Sequence, residues 1–141
     1  MTADIMSQLR GVVLIDPVTG EKYSALDGGG GGGATARLVS AAASTNSTLV
    51  KSSAGRITAI QGYNAAATLR YLKLYNKATA PTVGTDVPVK TLPLPPQAAF
   101  AYDAGHYFAT GIGFGLTTGV ADNDTGALTA GDVLALNIDY E

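Results

Sequence analysis

Beyond residue 34 the apolar residues recur largely at every second position, in short runs broken by turn formers. A period of two belongs to extended strands, whose successive side chains point to opposite faces. About eight such runs are predicted: Ala36–Ser44, Ser47–Ser53, Arg56–Asn64, Thr68–Lys77, Val87–Leu94, Ala98–Asp103, Tyr107–Thr117 and Asp132–Tyr140. Val, Ile, Leu, Thr and Tyr dominate them, as fits a pleated, half-buried surface. In Arg56–Asn64, strict alternation puts Ile57, Ala59, Gln61 and Tyr63 on one face and Arg56, Thr58 and Ile60 on the other. In Gly111–Leu116, the apolar Ile112, Phe114 and Leu116 alternate with Gly111, Gly113 and Gly115. A bare glycine face lets another backbone or side chain approach closely.

Turn signals separate the runs at Ser53-Ala54-Gly55, Thr79-Ala80-Pro81, Val83-Gly84-Thr85-Asp86 and Asp122-Asn123-Asp124-Thr125-Gly126. Leu92-Pro93-Leu94-Pro95-Pro96 suits only an edge or a strand end, because proline cannot donate to a ladder. A helix competes over Ala65–Asn76, where Tyr71, Leu72, Leu74 and Tyr75 also fit helical spacing. Regular strands over the remaining length predict an all-β chain, a β-sandwich of jelly-roll or Greek-key type with an extended N-terminal arm.

The arm is residues 1–27, followed by six consecutive glycines at 28–33 and the sandwich domain at 34–141. Glycine loses the most backbone entropy on ordering, so the run reads as a tether. The arm holds one apolar stretch, Val12, Val13, Leu14 and Ile15, followed by the turn signal Asp16-Pro17-Val18-Thr19-Gly20. Four apolar β-formers outside a core are costly to leave in water, which marks them as an anchor onto a partner. The alternative is that they form the first strand of the sandwich, with the glycines as a long loop. The glycine face at Gly111, Gly113 and Gly115 is the second expected partner interface, through close backbone approach between copies.

Charged residues make up 14% of the 141-residue chain, against roughly 25% in an average soluble domain. The net charge is −2. A surface so sparsely charged associates readily, and it lacks the basic patch that nucleic acid requires. No run reaches the length of a membrane helix. Met1–Arg10 lacks a basic segment followed by an apolar core, so no signal peptide is expected and synthesis in a cytoplasm is. The chain has no cysteine, which removes thiol chemistry and cysteine metal sites.

Candidate chemistry is thin. His106 is the only histidine, and the chain has no Gly-x-Ser-x-Gly elbow to accompany it, so a turn or interface role is expected. The glycines at 111, 113 and 115 lie inside a strand with no helix after them, which does not suit a dinucleotide fingerprint. Asp122-Asn123-Asp124-Thr125-Gly126, with Asp132 nearby, is the best calcium candidate, yet Gly126 and Val133 fall where a calcium loop needs other residues. An Asx-rich turn is the simpler reading. Glu21 and Glu141 are the only glutamates, and the aspartates cluster in turns. No enzyme, metal or cofactor is expected. Tyr63, Tyr71, Tyr75, Tyr102, Tyr107 and Tyr140 suit either interface contacts or half-buried strand positions.

Ile60-Gln61-Gly62-Tyr63-Asn64 and the segment from Tyr71 to Val89 resemble a family of small virion proteins of tailed bacteriophages. The resemblance continues through Thr110-Gly111-Ile112, Leu116–Gly119, Asp122, Asp124-Thr125-Gly126 and Leu136–Tyr140, and so spans residues 38–140. Ile15–Gly20 resembles the N-terminal arms of such proteins. The resemblance implies a structural role, foremost a capsid decoration (cement) protein. Such a protein would bind the major capsid protein on the capsid exterior and associate with itself, three copies being the expected number. A neck, tail or fibre-base component, and a host-glycan-binding module, are the alternatives.

Overall fold

The computed structural model describes residues 14–15, 22–23, 33–103 and 105–141. The chain divides into two compact units, Met1–Gly32 and Gly33–Glu141. In the first, β1 (Leu14–Ile15) pairs antiparallel with β2 (Lys22–Tyr23), Leu14 opposite Tyr23 and Ile15 opposite Lys22. This is a two-stranded sheet of its own, and neither strand belongs to a sheet of the second unit. Val12 and Val13, the turn signal at 16–20 and glycines 28–32 lie outside the described residues.

The second unit is all-β, two antiparallel sheets packed into a sandwich. Its strands are β3 (Ala34–Leu38), β4 (Thr48–Lys51), β5 (Gly55–Asn64), β6 (Arg70–Asn76), β7 (Lys90–Leu94), β8 (Ala98–Asp103), β9 (Tyr107–Phe108), β10 (Ile112–Thr117) and β11 (Val133–Tyr140). One sheet runs β4-β10-β6-β7; the other runs β3-β11-β5-β8, with β9 also paired to β5. Consecutive long strands alternate between the sheets, apart from the β6–β7 pair. Burial therefore falls between two layers. Leu72, Leu74, Ile112, Phe114 and Leu116 from one sheet meet Ile57, Ile60, Phe100, Leu136 and Ile138 from the other. Each such side chain contributes about 1.5–3 kcal/mol on leaving water.

In the five-stranded sheet strict alternation breaks at two bulges. In β5 the partner of Asp139 is Ala59 while that of Tyr140 is Ile57, so Thr58 is an extra residue. Ile57 and Ile60, three apart, consequently both face the core, which corrects the face assignment made from period two. In β11 the register slips between Leu134 and Asn137, and Ala135 takes φ of 49° there. The extra residue turns both Val133 and Leu136 inward.

The helix competing over Ala65–Asn76 does not form; Arg70–Asn76 is β6. The ambiguity has a physical cause. Leu72 and Leu74 face the core, and Lys73 and Tyr75 on the other face are also buried. A strand covered on both sides loses its polar alternation. Asn64, fully buried, sets the turn before it: its side-chain amide donates to Thr68 O and Leu94 O (3.1 and 2.8 Å) and its Oδ1 accepts from Ala66 N. The predicted run Tyr107–Thr117 splits into β9 and β10, because the bend at Ala109–Gly111 carries the chain from one sheet to the other.

The outward face of the four-stranded sheet is covered by a layer of loops. A Cβ on Gly113 would meet Pro81 Cδ at 2.9 Å, and one on Gly115 would meet Val83 Cγ2 at 2.5 Å. On Gly111 it would collide with the backbone of Lys77 and Ala78. The segment 77–83 thus lies directly on the backbone of β10, where only glycine leaves room. Asp86 clips the loop shut: it pairs with Lys77 Nζ at 2.6 Å and accepts from Thr82 N at 2.6 Å. Gly113→Val is expected to destabilise the protein by about 1–3 kcal/mol, the usual cost of overpacking. Urea unfolding is the check, and an unchanged midpoint would mean that the loop does not rest on this stripe.

Candidate functional site

The loop layer buries two polar side chains that alternate outward on β6. Lys73 is fully buried. Its ammonium donates to the carbonyl oxygens of Ala121 and Asp124, both in the loop that follows β10. Burial pushes its pKa down, and the nearby carboxylates of Asp124 and Asp122 partly oppose that. Tyr75 is 1% exposed, and its hydroxyl has no hydrogen-bond partner among the described residues. Burial raises its pKa, and the Asp86 and Asp122 carboxylates raise it further.

The calcium candidate is the same loop. Asp124 Oδ1 accepts from the backbone N–H of Gly119 (3.1 Å) and Gly126 (2.8 Å), which closes an Asx-type turn. The inward carbonyls meet the Lys73 ammonium. The loop therefore does bind a positive charge, and the chain itself supplies it. Among the described residues no three metal-ligating side chains gather.

Asp132 joins the strand-edge segments. It accepts from Thr129 Oγ1 (2.6 Å), Thr129 N (3.1 Å) and Arg70 Nε (2.9 Å). Burial would raise its pKa, but the hydrogen bonds from Thr129 and Arg70 together outweigh it and hold the carboxyl below its ordinary value. Ser40 donates to Thr129 O and accepts from Val133 N, both at 3.0 Å. These groups are consumed in tying β3, β6 and β11 together.

The three glycines expected to face a partner are buried, and their face is filled by this chain's own 77–83 segment. The close approach inferred from their pattern exists, but within one chain; the correction is one of partner. Leu14 and Ile15 lie in β1, and Val12 and Val13 lie outside the described residues. His106 is half-buried, its ring edge-on to Phe108 with centroids 4.8 Å apart, and its carbonyl accepts from Ile57 N. Among the described residues no acid or nucleophile bonds its ring. The tyrosines divide: Tyr75 is buried, Tyr102 and Tyr140 pack against the core, and Tyr63 and Tyr107 are exposed. Tyr107 carries the Arg56 guanidinium 5.8 Å from its ring centre.

A shallow, open depression lies on the outward face of the five-stranded sheet, lined by Gln61, Tyr63, Ala99, Ala101, Ala135 and Asn137 among others. Sequence reasoning did not single out this face. Its signal was available as alternation of small and amide residues along β5, β8 and β11. No protein-family model, curated protein or solved structure matches the chain.

The Asp132 carboxyl makes acid stability testable. Its folded pKa lies below the unfolded value of 3.8, so the folded state binds fewer protons in acid. The stabilisation is present above that value and is lost as pH falls through it toward the folded pKa. Asp132→Asn is expected to lower the melting temperature at pH 7, by an amount equivalent to on the order of 3 kcal/mol. The gap between variant and wild type should narrow as the pH is taken below 4. Equal gaps at pH 7 and pH 3 would show that the ionised form contributes nothing.

Proposed function

We propose that this chain is a non-catalytic structural protein of a tailed-bacteriophage particle, and specifically a decoration protein that binds and stabilises the major capsid shell from outside. The observation that carries the reading is convergence. The residues of the phage-protein resemblance are scattered from 38 to 140, yet many of them meet in one structural unit. Lys73, Tyr75, Lys77, Pro81, Val83 and Asp86 form or underlie one loop; Gly119, Asp124, Thr125 and Gly126 build the other. A Cβ on Gly84 would meet Thr125 Cγ2, so the two loops touch. The residues of the resemblance thus build a scaffold, which supports a role in which the chain holds a shape.

The strand order supports the same reading. With β3-β11-β5-β8 facing β4-β10-β6-β7, the chain wraps back and forth between sheets in the manner of a jelly roll. In this proposal the sandwich is the rigid body, and the apolar run Val12–Ile15 on its glycine tether grips the major capsid protein. Tethered contacts gain through effective concentration. The homo-oligomer remains part of the proposal, without the glycine face as its basis. No cofactor is needed.

The test is electron microscopy of particles carrying the labelled protein. Density over the whole shell is the expected result. Density confined to one vertex or the tail would replace decoration with a neck or tail role, and no particle density at all would end the virion reading. Within it, the double variant Val13→Asp, Ile15→Asp is expected to lose occupancy on particles while its melting transition stays put. A lowered melting transition would instead place the arm in the folding unit.

A further inference from the structure

The two outward faces of the sandwich are unequal. The four-stranded sheet is roofed by the chain's own loops, whereas residues on the outward face of the five-stranded sheet are largely exposed. We propose that this open face pairs with the same face of a second copy, across a two-fold axis that runs parallel to the strands. The inference goes beyond the virion reading and does not depend on it.

The argument is one of self-complementarity. In a two-fold face-to-face packing of this kind, β5 of one copy lies over β11 of the other, and edge strand β3 lies over edge strand β8. The strand register then decides what meets what. Tyr63 and Leu134 are cross-strand partners in one row, exposed by 39% and 37%. Under the operation each faces the other's copy, so apolar meets apolar twice. In the next paired row Asn137 stands beside Gln61, and the operation sets amide over amide, each able to donate and accept. The small Ala99 and Ala101 on β8 raise no obstacle.

Charge follows the same symmetry. Arg37 projects from β3 at one edge and Asp103 from β8 at the other; both are exposed, and neither is in an ion pair among the described residues. The axis brings the two edges together, so Arg37 of each copy meets Asp103 of the next, two pairs per dimer. Their rows are two residues apart along the strands, which the length of arginine and the angle between packed sheets can span. The face also carries Asp139, whose Oδ1 accepts from Thr35 Oγ1 at 2.6 Å.

Size sets the strength. Four strands at ~4.8 Å spacing and about five residues at ~3.3 Å give on the order of 300–400 Å² a side. A standard interface uses about 800 Å² per partner. The dimer is accordingly weak, with Kd on the order of 0.1 mM, and it matters where copies are already crowded.

Sedimentation equilibrium of the full chain up to about 1 mM tests this, at a concentration chosen to bracket such a Kd. The wild type should reach a dimer. Arg37→Asp and Asp103→Arg should each weaken it at least about tenfold, and the double swap should recover it to within about threefold, because the two-fold restores every pair with its sign reversed. A monomer throughout, single reversals without effect, or a double swap that fails to recover would each overturn the proposal. Should a charge reversal unfold the chain, Gln61→Arg gives the same readout by placing like charges beside the axis, and undiminished association of that variant would count as refutation.

Discussion

Most of this fold hangs on the direct contact between the 77–83 segment and the glycine side of β10. With no side chains at 111, 113 and 115, the segment lies on the sheet at backbone distance, with Pro81 and Val83 pressed onto it. That contact buries the outward residues of β6, and burying Lys73 creates a debt of solvation. A lone ammonium in an apolar setting is expensive. The carbonyls of Ala121 and Asp124 offset it, and those carbonyls point inward because Asp124 folds its loop about the N–H groups of Gly119 and Gly126. Stripe, first loop, buried lysine and second loop form a chain of dependence in which each member needs the one before.

The same constraint makes the molecule two-sided. One face is sealed by the chain itself and presents loop surface. The other stays open, with a tyrosine, a leucine and two amides near its centre and the charges of Arg37, Asp103 and Asp139 around them. An antiparallel sheet commonly leaves one face to water, and this face fits that pattern. Part of the low charge of the whole chain is thus explained by the four-stranded sheet, which is covered on both sides.

Strand positions were legible because the turns are strongly marked and most strands have one wet side. The runs at Arg56–Asn64, Ala98–Asp103 and Asp132–Tyr140 coincide with β5, β8 and β11 to within a residue. The differences share one cause, namely that local pattern does not say what lies on the far side of a strand. Thr68–Lys77 reads as a strand and contains β6, and a helix competes with it because loops cover the side that solvent normally marks. The alternating glycines mark a place of close approach, but pattern alone cannot tell an approaching loop from a second molecule. Period two puts Ile57 and Ile60 on opposite faces, because the bulge at Thr58 depends on the partner strand β11, about eighty positions away. Asp122–Gly126 forms the Asx-rich turn that is the simpler reading of its sequence, and its inward carbonyls accept from the Lys73 ammonium.

Chemical modification of tyrosine gives the most direct test of the sealed face against the open one. Tyr63 and Tyr75 both lie outward on their sheets, and only the loop layer distinguishes them. Nitration of the native protein at low concentration, followed by peptide mass spectrometry, should label Tyr63 and Tyr107 early and leave Tyr75 unmodified until the protein unfolds. Labelling of Tyr75 at the rate of Tyr63 in the folded protein would mean that the loops do not cover the sheet, and the dependence of the fold on the glycine stripe would fall with it.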